Sequence, residues 1–282
     1  MTRTRKPSTH QWQRTLLTTL AAGILIAVAG FALLGPNLVK FDPNAPSLAN
    51  MQQPPSGEHL LGTDMLGRDV LARLASAARV SLTVAVVAVI INIVIGSLLG
   101  GIAGYFRGAA DYVISRIADT FLSFPVLPLV IVMVALFGPS LINVILALAV
   151  VGWPEVFRLV RGETLVVRER EFIQAAVAIG TKDARIVIRH VLPNVIAPVI
   201  VAATFGVAQA ILTEAGLSFL GLGLRPPNAS LGNMLLDAQS ITVLESLPWL
   251  WLPPGLLIVG IVLSVNYLGD TLRARLDPRF RS

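Results

Sequence analysis

The chain has no cysteine, which excludes disulfides, thiolate metal sites and cysteine nucleophiles. Charge is scarce: 13% of the 282 residues are Asp, Glu, Lys or Arg, against about 25% in an ordinary soluble domain. Histidine occurs three times, at His10, His59 and His190, always outside the long apolar runs. A metal site or a nucleophile–histidine pair within a membrane is therefore not expected, and no metal ligands are assigned. None of the three lysines follows a glycine, so there is no Gly-x4-Gly-Lys-Ser/Thr phosphate loop. Gly216-Leu217-Ser218-Phe219-Leu220 is not a Gly-x-Ser-x-Gly elbow. The chain thus carries no signature for hydrolysing a nucleotide, and no catalytic residue is assigned.

What the chain does contain is apolar sequence, 55% of all residues. Six segments stand out, at about 15–36, 80–104, 118–137, 140–157, 194–213 and 249–268. Each is about 18–25 residues long, or about 27–37 Å as a helix, enough to cross a bilayer core of about 30 Å. The fold class is all-α integral membrane with six transmembrane helices. Gly138-Pro139-Ser140 joins the third and fourth as a tight hairpin. Ala27-Val28-Ala29 looks like a signal cleavage site, but the apolar run continues through Leu34, so an uncleaved first helix is expected.

The formal charge of +6 lies beside the apolar segments rather than in a patch, so it is a topology signal and no nucleic acid is expected as a partner. With the N-terminus in the cytoplasm, 17 Lys and Arg fall inside, including Arg3, Arg5, Lys6, Arg279 and Arg281. Only Lys40, Arg68, Arg73, Arg79 and Arg225 fall outside. The expected orientation is N-in, C-in.

Glu155 and Glu214 are the exceptions to the charge-free runs, and Asn92, Gln209 and Asn266 are the notable amides. An ion-coupled pump needs ionisable groups near the midplane, and none is expected here. Asn92 and Gln209 read as interhelical hydrogen bonds. Together with Glu214 they are also the candidates for lining a translocation path. Capping of an outer helix end is the other role for Glu214. Two outer loops, 37–79 and 214–248, are long and partly irregular, with Asp42-Pro43, Pro54-Pro55 and Pro226-Pro227-Asn228. Asp64, Arg68 and Asp69 in the first read as structural elements of that loop.

Residues 171–193, EFIQAAVAIGTKDARIVIRHVLP, interrupt the apolar pattern with helix-prone polar sequence. Residues 169–180 favour a helix that Gly180 ends, since glycine tolerates the left-handed C-terminal position. Thr181 is expected to cap a second helix with Asp183 in its first turn. There Ala184, Val187, Ile188 and Val191 fall on one face, and Lys182, Arg185 and Arg189 on the other. Pro193 is expected to close this helix and open the next span. Such an element lies on headgroups, packs on the protein's own helix ends, or enters a groove on a partner.

The segment resembles the EAA loop of ABC importer membrane subunits: Glu-Ala-Ala, three residues, Gly, nine residues, Ile, one residue, Leu-Pro. Ala175-Ala176, Gly180 and Leu192-Pro193 match at the right spacing, with Gln174 in place of Glu and His190 in place of Ile. HLLGTDMLGRDVLARL at 59–74 with Ala78-Arg79-Val80-Ser81-Leu82, LTEAGLSFLGLGLRPPNASLGNML at 212–235, and GDTLRARLDPR at 269–279 resemble dipeptide/oligopeptide permeases of the C-subunit type. Ala72, Ser76, Ala77 and Leu231 depart from the usual Ser, Tyr, Gly and Trp.

The resemblance implies a Type I ABC importer fold. It divides the chain into a tail, first helix and outer loop at 1–79, a permease core at 80–269 holding the coupling loop 158–193, and a tail at 270–282. It also implies a homologous second permease and one or two ATPase subunits that hold ATP and Mg, with no cofactor in this chain. An extracytoplasmic binding protein is the remaining partner. Gln174, Ala175, Ala176, Gly180, Thr181, Asp183, Arg185, Arg189, Leu192 and Pro193 become the candidate ATPase-coupling residues. Binding-protein contact becomes the alternative role for Asp64, Arg68 and Asp69. Relatives handle nickel, haem, glutathione or oligosaccharides as well as peptides. A stand-alone channel or carrier is the competing class, and a membrane enzyme the third.

Overall fold

The computed structural model describes residues 9–225 and 227–276; Arg3, Arg5, Lys6, Pro226, Arg279 and Arg281 lie outside the described residues. The described chain is built from α1 (Thr9–Leu38), α2 (Val70–Phe106), α3 (Gly108–Leu122), α4 (Val126–Phe137), α5 (Leu141–Arg168), α6 (Glu171–Ala178), α7 (Asp183–Ile186), α8 (Leu192–Phe219), α9 (Leu231–Met234), α10 (Ile241–Ser246) and α11 (Pro248–Leu276). No named strand occurs among the described residues.

Five helical stretches are long and apolar enough to cross a membrane: Thr15–Leu38, Val70–Phe106, Leu141–Arg168, Asp183–Phe219 and Pro248–Leu276. The sixth exists only as α3 and α4 together, bent by 89° at the break. The span expected over 118–137 is therefore a broken one. Pro125 has no N–H and disfavours helical geometry at Phe124, and Pro125 itself is extended, at φ −61° and ψ 135°. The 12 residues of α4 reach about 18 Å, short of the bilayer core. α3 is instead amphipathic. Its Asp111 takes a two-pronged contact from Arg161 of α5, and Asp119 pairs with Arg158 at 2.6 Å.

The ends of the helices fix the topology. The end of α1 packs where α2 begins, close enough that a Cβ on Gly35 would lie 2.9 Å from that of Ala75. Trp249, at the start of α11, donates its indole N–H to the Thr63 carbonyl at 3.2 Å. Asn143 near the start of α5 donates to the Phe137 and Gly138 carbonyls, which holds the expected hairpin turn. These contacts gather the 39–69 loop with the starts of α2 and α11. At the opposite end lie the ends of α2 and α5, followed by α6 and α7. Arg273 and Leu276 of α11 share a cavity there with Arg170. Since α1 is 30 residues, or about 45 Å, it also starts at that opposite end.

α2 begins at Val70, well before the expected 80, because Asp69 caps it by accepting the Ala72 N–H at 2.7 Å. It therefore crosses the expected boundary at 79–80. Asp69 also meets His59 Nδ1 at 2.8 Å. Asp64 accepts from the Leu66 and Arg68 N–H groups and from Arg68 Nε, and pairs with Arg73 at 3.3 Å. Both carboxylates lie under 5% exposed and bind the loop to itself.

The core between α2 and α5 depends on three glycines at four-residue spacing. A Cβ on Gly96 would lie 2.6 Å from Val156 Cβ, one on Gly100 2.8 Å from the Phe157 carbonyl oxygen, and one on Gly104 2.7 Å from Thr164 Cβ. The two backbones approach too closely for any side chain between them. Val84, Ala88, Val144, Ala147, Ile211 and Ile261 fill the middle of the bundle. Ile26, Leu33, Leu136 and Leu263 stay exposed on the outer faces, as lipid-facing residues do.

Candidate functional site

The 171–193 segment folds back onto the ends of α2 and α5. Ile173, Ala176, Ile186, Val187 and Val191 bury against Tyr105, Val160 and Val167. α6 ends in a Schellman motif: the Thr181 N–H reaches the Ala176 carbonyl at 3.1 Å and the Gly180 N–H reaches Val177 at 2.9 Å. Gly180 sits at φ +75°, and a Cβ there would meet nothing within 4 Å. Its requirement is therefore backbone conformation, with open space beyond it.

Two local expectations are corrected. Thr181 is not the cap of the second helix. Lys182 occupies that position without a side-chain bond, because the Schellman motif has already engaged the Thr181 backbone. Pro193 does not close the helix either. Asp183 to Phe219 runs on as one helical stretch, through a widened π turn at Val187–Val191 in which the Leu192 N–H reaches back to the Val187 carbonyl. A wider turn accommodates a residue without an N–H. It also rotates the buried face. Ile186, Val187, Val191 and Val195 point inward, while Ala184 and Ile188 of the expected apolar stripe are exposed.

The loop is tied to its support by polar contacts as well. Tyr105 donates its hydroxyl to Asp183 Oδ1 at 2.8 Å, and Arg168 donates to the Tyr105 carbonyl. Arg107 pairs with Glu169. Gln174 donates Nε2 to the Glu169 carbonyl at 3.2 Å, so the amide makes a bond within the loop. Leu192 lies over Gly101 of α2, 3.2 Å from where its Cβ would be.

The sequence candidates therefore separate into two groups. Ala176, Asp183 and Leu192 hold the loop to the bundle. Gln174, Ala175, Gly180, Arg185, Arg189 and Pro193 face outward, and Thr181 is half-buried. The outward face also carries Phe172, Val177, Ile179 and Ile188, of which Ile179 is 82% exposed. Sequence reasoning had assigned none of these four to a docking face. The signal was present in their interruption of the charged face by large apolar residues.

The path candidates separate as well. Asn92 and Gln209 line one cavity of about 350 Å³ between α2, α4, α5 and α8. Glu155 and Thr213 join them there, and sequence reasoning had not placed Glu155 in the path. Asn92 makes no interhelical hydrogen bond of the expected kind; its Oδ1 is buried and without a partner. Glu214 does not line this cavity. It is 1% exposed and accepts from Ser81 of α2 at 2.8 Å and Ser218 at 2.7 Å. Ser81 in turn accepts the Leu231 N–H at 3.1 Å, so Glu214 joins α2, α8 and α9.

Comparison with known proteins follows the same outline. The chain is 44% identical over 266 residues to the dipeptide transport system permease protein DppC of Alkalihalophilus pseudofirmus, covering 94% of this chain and 85% of that protein. A putative peptide permease protein of Brucella suis biovar 1 is 41% identical over 262 residues, covering 90% of this chain and 87% of its own. Among solved structures, a chain of the MetNI methionine ABC transporter in an inward-facing conformation superposes with a TM-score of 0.58. Its identity is 22%, over 73% of this chain and 97% of that one. A chain of an amino acid ABC transporter gives 0.52 at 18% identity, over 73% and 94%. Residues 93–282 match the binding-protein-dependent transport system inner membrane component family, and this multi-pass membrane chain belongs to that family.

Proposed function

We propose that the chain is one of two homologous permease subunits of an ATP-driven importer of di- and oligopeptides, in a bacterial cytoplasmic membrane with both termini in the cytoplasm. One or two kinds of ATPase subunit, holding ATP and Mg, dock on the 171–193 loop. An extracytoplasmic binding protein delivers substrate at the opposite end, beside the 39–69 loop. The peptide substrate is supported by the relatives, which are described as dipeptide and peptide permeases. The orientation is supported by the excess of Lys and Arg at the 171–193 end.

The observation that carries this reading is the loop itself. Its inner face is buried on α2 and α5, and its outer face presents Ile179, Ile188, Phe172 and Val177 beside Arg185 and Arg189. A loop that served only to connect two spans would not need a rigid, two-sided build. Mechanically, α7 passes into α8 without a break, so a displacement at Ile188 is carried into the membrane along α8. The glycine contacts join α2 and α5 into a second stiff unit. Closure of the ATPases would swing these units and switch the path from one side to the other; hydrolysis would reset them.

The test is uptake by proteoliposomes holding the complete assembly. A labelled dipeptide should accumulate only with ATP inside the ATPase compartment and with the binding protein present. Uptake by the permeases alone would place the chain among channels or carriers.

A further inference from the structure

The cavity between α2, α4, α5 and α8 is lined mostly by apolar and small residues, among them Val89, Ala202 and Gly206. Three polar side chains in it stand apart: the Asn92 amide, the Gln209 amide and the Glu155 carboxylate. Among the described residues, no side-chain hydrogen bond or ion pair engages any of the three, and the Asn92 Oδ1 is fully buried without a partner. Thr213 is different, since its hydroxyl is held by the Gln209 carbonyl at 2.8 Å. Glu155 lies 14 residues from the start of α5, or about 21 Å into the helix, within the apolar run on its 171–193 side, and its side chain is exposed to the cavity. An ionisable group at that depth is unfavourable unless something pairs with it, and such a group marks a functional site. A second space of about 660 Å³ adjoins the first: Ala202 and Phe205 line both, and Glu163, Arg170 and Arg273 line the second at the 171–193 end. A polar station beside an adjoining space is what a passing solute would meet.

We infer that Glu155 binds the protonated amino group of the peptide as it passes through this cavity, while Asn92 and Gln209 take the carbonyl and N–H groups of its backbone. The chemistry is complementary at each point. A carboxylate without a cation of its own matches an ammonium, and an amide side chain offers one acceptor and two donors to a peptide bond. Gly152 and Gly206 keep the wall open on the α5 and α8 sides. At Gly152 a Cβ would fall 2.2 Å from Asn92 Nδ2, so any larger residue would push the amide from its place. A side chain of the second permease is the rival partner for the carboxylate. The adjacent amides and the adjoining second space favour the solute. The inference rests on the peptide importer reading above.

The complete transporter, reconstituted with its ATPases and binding protein, tests it. Uptake of a peptide with a free amino terminus is measured for the natural protein, Glu155→Gln and Glu155→Asp. ATPase activity and co-purification of the second permease are followed in parallel. Loss of a charge-assisted hydrogen bond predicts a fall of about tenfold or more in kcat/KM for uptake in Glu155→Gln. Assembly with the second permease should be unchanged, and Glu155→Asp should restore most of the uptake. Unchanged uptake by an intact Glu155→Gln complex would overturn the inference. So would loss of the second permease from that variant, because the carboxylate would then belong to the subunit interface. Absence of ATP-dependent peptide uptake by the natural protein would instead sink the peptide importer reading, and this inference with it.

Discussion

Single residues carry the separation between support and docking. At Gly180 the φ of +75° strains any other residue, yet open space surrounds the missing Cβ. Gly180→Ala should therefore cost about 1 kcal/mol of local stability and keep most transport. Gly180→Arg adds the same strain plus a bulky cation on the outward face. It is expected to leave the protein in the membrane at normal level and to abolish ATP-dependent uptake; normal uptake at normal level would refute docking at this point. At the other end Asp64 holds Arg68 and Arg73, with all three side chains at most 12% exposed. Asp64→Ala removes the carboxylate that both guanidinium groups share, and should lower stability by about 3 kcal/mol, seen as a lower thermal midpoint in detergent and faster proteolysis within 39–69. Gly180 was legible in the sequence because a helix stop and an apolar rhythm coincide there. Asp64 was legible only as a loop residue, since its partners Arg68 and Arg73 follow from a turn no periodicity announces.

At the scale of elements, apolar length located the spans, but the sequence signal did not fix how they bend or where they end. The third segment looked continuous because hydrophobicity does not register a kink; only Pro125 hinted at the break that the structure places there. α5 runs on past Pro154 to Arg168 because its charged extension pairs with Asp111 and Asp119 of α3. The π turn was hidden because a period of 3.6 residues cannot reveal one inserted residue, and this is why Ala184 and Ile188 were assigned to the wrong face. The contact between α2 and α5 was visible in principle as Gly96, Gly100 and Gly104 at four-residue spacing. Gly100→Leu should push those helices apart at a cost of about 1–3 kcal/mol. The measurement is thermal unfolding in detergent, where the variant should melt clearly below the natural protein. An unshifted midpoint would contradict the close approach.

For the molecule as a whole, the charge distribution implies an orientation, and the 39–69 loop lies at one end with the 171–193 segment, the start of α1 and the end of α11 at the other. The absence of cysteine makes that arrangement testable with single introduced thiols. Ser56→Cys should react with a membrane-impermeant maleimide on intact spheroplasts, and Arg185→Cys only after the membrane is opened. The reverse pattern would invert the topology and place the loop out of reach of any ATPase.

In the proposed mechanism a separate ATPase drives this subunit through the exposed face of its loop. The most direct test is Ile179→Cys in the otherwise cysteine-free chain, crosslinked in native membranes with a short thiol-to-amine reagent. The chain is then purified and the adduct identified by mass spectrometry. The expected adduct is an ATPase subunit joined at residue 179, with a homologous permease co-purifying. A residue 179 joined only to lipid or to a second copy of this chain, with no ATPase after gentle extraction, would contradict it.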